Sequence, residues 1–108
     1  MGLNQYSIIL VCLDPTIGSE MKKTRPCVVL SPMEMNQHLN TVIIAPMTSS
    51  IKKYPTRVSI LFSNKKGSIA LDQIKTIDKG RVIKVLGELN SKEIRACKKV
   101  LQQMLVDD

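Results

Sequence analysis

Aromatic residues are almost missing from this chain: it holds two tyrosines, one phenylalanine and no tryptophan in 108 residues. A protein that stacked on bases would have only Tyr6, Tyr54 and Phe62 to do it with. Histidine is scarcer still. His38 stands alone and cannot pair with a second histidine for acid–base work, and its setting, MNQHLN, reads as a polar surface connection. Cys12, Cys27 and Cys97 are odd in number and widely spaced. They fit neither a disulfide framework nor paired zinc ligands, and they read as small buried hydrophobes. The chain contains no GxSxG, no GxxxxGK[ST] and no HExxH, so serine hydrolase, P-loop and zincin readings lack their usual parts. No cluster has metal-ligand spacing, and neither a metal nor a cofactor is expected. The longest apolar run, Ile8 to Leu13, is far short of a membrane span, and no signal-peptide pattern precedes it. A cytoplasmic protein without membrane contact is the expectation.

Positive charge is what the chain has in excess. Sixteen Lys and Arg against nine Asp and Glu give a formal charge of +7, which suits a polyanionic partner. At this length residues 1–108 form one domain, able to close a single core and too short for a second.

Most of the chain reads as strand. YSIILVCL (6–13) ends at Asp14-Pro15, a turn opener, and CVVLS (27–31) and TVIIAP (41–46) are similarly rich in β-branched residues. RVSILF (57–62) alternates, with Val58, Ile60 and Phe62 on one face. NKKG (64–67) reads as a basic turn, followed by the strand SIALDQIKTI and a further apolar stretch, RVIKVLGEL. After Asn90 the period changes. Ile94, Cys97, Val100, Leu101, Met104 and Leu105 recur at helical spacing, and Asn90 with Glu93 three residues on forms a capping box. The opposite face carries Lys92, Arg95, Lys98 and Lys99 and reads as solvated. A mainly β fold with a C-terminal α-helix follows: a small, strongly bent sheet or open barrel.

Two loops gather hydroxyls and cations. DPTIGSEMKKTRP (14–26) carries Glu20, Lys22, Lys23, Thr24 and Arg25; MTSSIKKYPTR (47–57) carries Thr48, Ser49, Lys52, Lys53 and Tyr54. An arginine fork can hold two phosphate oxygens while hydroxyls and lysines add donors and charge, which is the outline of a phosphate site. The plainer alternative is a pairing of Arg25 with Glu20 and solvated lysines. Asp72 and Gln73 either read bases or hold their strand. Tyr54 is the best stacking candidate, Phe62 reads as core, and Tyr6 is open to both readings.

VCLDPTIGSEMKKTRPCVVLS, NTVIIAPMTSSIKKYPTRV and GSIALDQIKTIDKGRV…LGEL, in this order, resemble the MazF/PemK family of bacterial toxins over nearly the whole chain. The DPT-GSE-[KR]xRP loop, the P-x-T-[ST] turn and the DQ-[IV]-[KR]-[ST]-[IV] strand carry the resemblance. It implies a small SH3-like barrel of the MazF/PemK/CcdB type, a homodimer, and a metal-independent endoribonuclease that cuts single-stranded RNA. Arg25 and Thr48 match the family's catalytic positions, and Glu20 matches the glutamate of GSE. Lys22, Lys23, Thr24, Ser49, Lys52, Lys53, Tyr54, Asp72 and Gln73 are the accompanying RNA-binding candidates. A cognate acidic antitoxin would be the partner. Where PemK-type relatives carry an arginine two residues before the aspartate, this chain has Ala70. The arrangement built on Arg25 and Thr48 is therefore the expected one. A non-catalytic RNA- or peptide-binding barrel, or a gyrase-inhibiting toxin like CcdB, is the alternative function.

Overall fold

The computed structural model describes residues 2–12, 23–50 and 53–107. Its elements are β1 (Ser7–Cys12), β2 (Thr24–Val29), α1 (Met33–His38), β3 (Thr41–Thr48), β4 (Arg57–Phe62), β5 (Lys65–Ala70), β6 (Lys75–Asp78), β7 (Val82–Glu88) and α2 (Ser91–Leu105). The pairings are antiparallel and run β4-β5-β3-β2-β1-β7, with β6 also on β3. The result is the mainly β, curled sheet with a closing helix that the sequence predicts.

β3 is the hub. Thr41 to Ile44 pair with β6, Ile44 to Pro46 with β2, and Met47 and Thr48 with β5. One strand thus belongs to both halves of the curl, and its end is where the halves meet.

The near-continuous apolar reading of β1 to β3 has a physical cause, since residues on both faces of these strands are buried. Ile8, Val28, Ala45 and Met47 enter one core cluster with Val58, Ile60, Ile69 and Leu71. Ile9, Val11, Cys27, Val29, Val42 and Ile44 enter a second with Leu3 and Ile77. Tyr6 is buried at the edge of the first. Its φ of 68° is unusual for a bulky side chain. Its N–H donates to the Val29 carbonyl at 2.7 Å and its own carbonyl accepts from Leu89 at 3.0 Å, so the turn is tied on both sides.

α2 covers the first cluster along β4. Its capping box is formed: Glu93 N–H donates to Asn90 Oδ1 at 2.8 Å, and Asn90 N–H donates to Glu93 Oε1 at 2.9 Å. Cys97 is wholly buried and Ile94, Val100, Leu101 and Met104 pack around it, whereas Leu105 is 67% exposed and falls outside the stripe. Lys92, Arg95, Lys98 and Lys99 face solvent, as the helical period requires.

Three local readings change. The polar stretch around His38 is not a plain connection: it forms α1, which is anchored by the buried Asn36 amide donating to the carbonyls of Leu3 (2.8 Å) and Ser31 (3.0 Å). His38 itself is exposed. The β4–β5 turn is Ser63-Asn64, not NKKG; both residues have positive φ (51° and 63°), the signature of a two-residue type I′ hairpin. Lys65 and Lys66 therefore lie in strand. Finally, SIALDQIKTI is broken by a 3₁₀ turn at Leu71–Gln73, which carries the chain from β5 to β6 around the curl.

Candidate active site

β2 and β5 share one burial pattern. Each begins with two exposed residues that include a cation (Thr24-Arg25 and Lys65-Lys66), passes a half-buried Pro26 or Gly67, and ends in three buried residues. Both run antiparallel to β3 and flank it on opposite sides, so their N-terminal ends come to the same place, the C-terminal end of β3. The β2–β3 ladder ends at Cys27–Pro46, two residues short of Arg25 and of Thr48, and both of these line one cleft; on the other side Thr48 pairs with Ser68. Cations from two strands are thereby delivered to either side of one threonine.

The cleft they form has a volume of about 440 Å³. Thr24, Arg25, Thr48, Ser49, Lys65 and Lys66 supply its polar lining, and Met47, Ile60 and Phe62 contribute the apolar part. Phe62, a core residue by its pattern, serves both roles: it packs against the first cluster and lines the cleft. Among the described residues, no carboxylate lines this cleft and no ion pair engages Arg25.

Thr48 is held by its own turn. Its Oγ1 accepts from the Ser50 N–H at 3.1 Å, and a hydroxyl that accepts keeps its proton to donate. Gly67 makes the close approach of β5 possible, because a Cβ there would stand 2.7 Å from the Thr48 carbonyl oxygen. Any other side chain at 67 would force the strand away from Thr48.

The remaining sequence candidates are dispersed. Lys23 is exposed just before β2, and Lys53 and Tyr54 are exposed before β4, outside the lining of the cleft. The Arg57 guanidinium sits 5.5 Å from the centroid of the Tyr54 ring, so one face of that ring is engaged. Asp72 is held by Arg57, whose Nε donates to Oδ1 at 2.7 Å and whose Nη2 donates to Oδ2 at 3.3 Å; the Thr56 hydroxyl also donates, at 3.1 Å. The hydrogen bonds from Arg57 hold the Asp72 carboxyl below its ordinary value, with a smaller opposing effect of burial. This carboxylate is committed to joining β4 to the 3₁₀ turn. Gln73 is exposed beside it, outside the cleft lining. Ala70, two residues before Asp72, is 1% exposed and lies in the core. Glu20, Lys22 and Lys52 lie outside the described residues.

Lys65 and Lys66 are the cleft cations that sequence reasoning did not assign. Their signal was the basic composition of NKKG, but only the structure shows that they enter β5 and line the same cleft as Thr48. Among the described residues, no three His, Cys, Asp or Glu side chains are placed to hold a metal ion. No helix among them is long and apolar enough to cross a membrane.

Curled sheet and cleft together define a small β-barrel-like protein with a cationic cleft at the junction of its two half-sheets. Residues 4–105 match the family model of the PemK-like, MazF-like toxins of type II toxin–antitoxin systems, and the chain belongs to that family. It is 39% identical over 70 residues to the endoribonuclease toxin MazF of Escherichia coli K12, a match covering 65% of this chain and 63% of that relative's length. It is 36% identical over 99 residues to the endoribonuclease MazF of Staphylococcus saprophyticus, covering 86% of this chain and 82% of the relative. In structure it resembles the Mycobacterium tuberculosis toxin MazF-mt6, with a TM-score of 0.80 at 22% identity over 94% of this chain and 98% of that one. A MazE–MazF structure from Deinococcus radiodurans superposes with a TM-score of 0.81 at 23% identity, covering 97% of each chain.

Proposed function

We propose that this protein is an endoribonuclease toxin that cuts single-stranded RNA without a metal and is neutralised by a cognate acidic antitoxin. The observation that carries the reading is the convergence of Arg25 and Thr48 on one cleft, with Lys65 and Lys66 facing them. RNA brings its own nucleophile. The 2′-oxygen bonds to phosphorus as the bond from phosphorus to the 5′-oxygen breaks, the 2′-proton passes to a base, and the leaving 5′-oxygen gains a proton. The products are a 2′,3′-cyclic phosphate and a 5′-hydroxyl. The protein has to orient the phosphate and stabilise the charge that develops on it.

Arg25 holds the phosphoryl oxygens and stabilises the dianionic transition state, a role that suits the planar fork of donors on a guanidinium. Thr48 donates its hydroxyl proton to one of those oxygens, and Ser49 and Thr24 add neutral contacts. Glu20 is the proposed proton acceptor. Lys65, Lys66, Lys22, Lys23, Lys52 and Lys53 attract the RNA backbone, and Phe62 is the aromatic surface nearest the reacting phosphate. Tyr54 and Gln73 contact RNA beyond the cleft, while Asp72 acts by holding Arg57.

The acidic antitoxin follows from family membership and charge: a +7 protein with an open cationic cleft suits an acidic segment. The MazF relatives from Deinococcus radiodurans include complexes with MazE. A homodimer is supported by β7, an edge strand on which Ile83 and Val85 are 49% and 47% exposed. The reading places the protein in the cytoplasm, where its RNA substrate is made.

The deciding experiment incubates wild type and Arg25→Ala with a long unstructured RNA in excess EDTA and maps every new end. Discrete cuts bearing cyclic phosphates, lost in Arg25→Ala while its circular dichroism is unchanged, are expected. Intact RNA with wild type, or undiminished cutting by Arg25→Ala, would overturn the reading or the assignment, respectively.

A further inference from the structure

Ser68 is a buried hydroxyl at 2% exposure with a specific partner. It lies directly across from Thr48 in the β3–β5 ladder, and its Oγ–H donates to the carbonyl of Ser50 at 3.1 Å. The N–H of that same Ser50 donates to Thr48 Oγ1 at 3.1 Å. Ser68 therefore anchors one end of the residue whose other end orients the threonine. Its neighbour Gly67 brings the strand close enough for this bond to form, as the 2.7 Å Cβ approach shows.

We infer that Ser68 is a positioning residue for the reaction: through Ser50 it fixes the rotamer of Thr48 so that the threonine proton points into the cleft. This rests on the ribonuclease reading above. Threonine occupies one of a few staggered χ1 wells, and exchanging wells swaps its hydroxyl for its methyl. The Ser50 N–H favours the well that keeps the hydroxyl in place, and it does so best while the Ser50 backbone is fixed at its carbonyl by Ser68. Without the Ser68 bond, Ser50 keeps its N–H but loses the contact that restrains its φ and ψ, and with them the direction of that N–H. Thr48 would then spend part of its time with a methyl group facing the phosphate.

The effect belongs to the transition state more than to substrate binding, because the cations that attract RNA are untouched. Ser68→Ala should lower the single-turnover kcat by roughly tenfold, the size of one neutral positioning hydrogen bond, with little change in KM. Ser68→Cys keeps nearly the same volume with a far weaker donor and should fall in the same direction, which guards against a packing defect in the alanine variant.

The test is a double-mutant cycle on a short RNA containing one mapped cut site, with Ser68→Ala, Thr48→Ala and the double variant. A loss in Ser68→Ala that disappears in the Thr48→Ala background is the expected result. Wild-type kcat in Ser68→Ala, or the same fractional loss in both backgrounds, would overturn the positioning role while leaving the ribonuclease reading intact. RNA left whole by wild-type protein would overturn both.

Discussion

At the scale of single residues, the cysteines show how burial sets chemistry. Cys27 and Cys97 are wholly enclosed, and burial pushes each thiol up to about 11 from an ordinary 9.0. An unfolded chain releases these protons near pH 9 while the folded chain retains them. The folded state therefore binds more protons over that interval, and stability must fall as pH rises. Urea midpoints measured between pH 8 and pH 11 should decline beyond the fall shown by a Cys27→Ala, Cys97→Ala protein compared with its own value at pH 8. Equal declines would mean that these thiols ionise as readily in the folded state as in the unfolded one. The sequence reading of small buried hydrophobes describes Cys27 and Cys97, whereas Cys12, near the end of β1, is half-exposed.

At the scale of elements, what could be read in advance follows from how local each signal is. The capping box and three- and four-residue spacing of α2 lie within one stretch of chain, and the helix begins at the residue after Asn90. Asn90→Ala removes the acceptor for the Glu93 N–H and should cost about 1 kcal/mol, seen as a lower denaturant midpoint with an unchanged cleavage rate per folded molecule. A shift in the rate itself would mean that α2 controls the cleft through β4. By contrast, α1 was hidden because its order comes from Asn36 reaching Leu3, 33 residues away. The break at Leu71–Gln73 was hidden because β5 and β6 follow β3 around a bend that only the curled sheet creates. NKKG looked like a turn because asparagine, lysine and glycine favour turns. The ladder instead closes on Phe62 and Lys65, leaving Ser63-Asn64 as the loop.

At the scale of the whole molecule, the positive charge acts as a field and its placement decides what the field does. Binding of an RNA made uncleavable by 2′-deoxy substitution should weaken linearly on a logarithmic salt axis, and Lys65→Ala and Lys66→Ala should each reduce that slope by about 0.7. An unchanged slope in both variants would place the RNA away from the β5 side of the cleft. Arg25 and Thr48 were legible as motif positions, but their meeting with Lys65 and Lys66 was not, since it depends on two strands approaching β3 from opposite sides. That arrangement also orders events during synthesis. The cleft draws on residues from Thr24 to Gly67, and the core beneath it gains Cys97 and Met104 only when α2 packs on β4. A ribosome adding roughly 5–20 residues per second must pass all these positions before the core closes, so under the proposed function a partly made chain attached to its own messenger has no finished cleft with which to cut it.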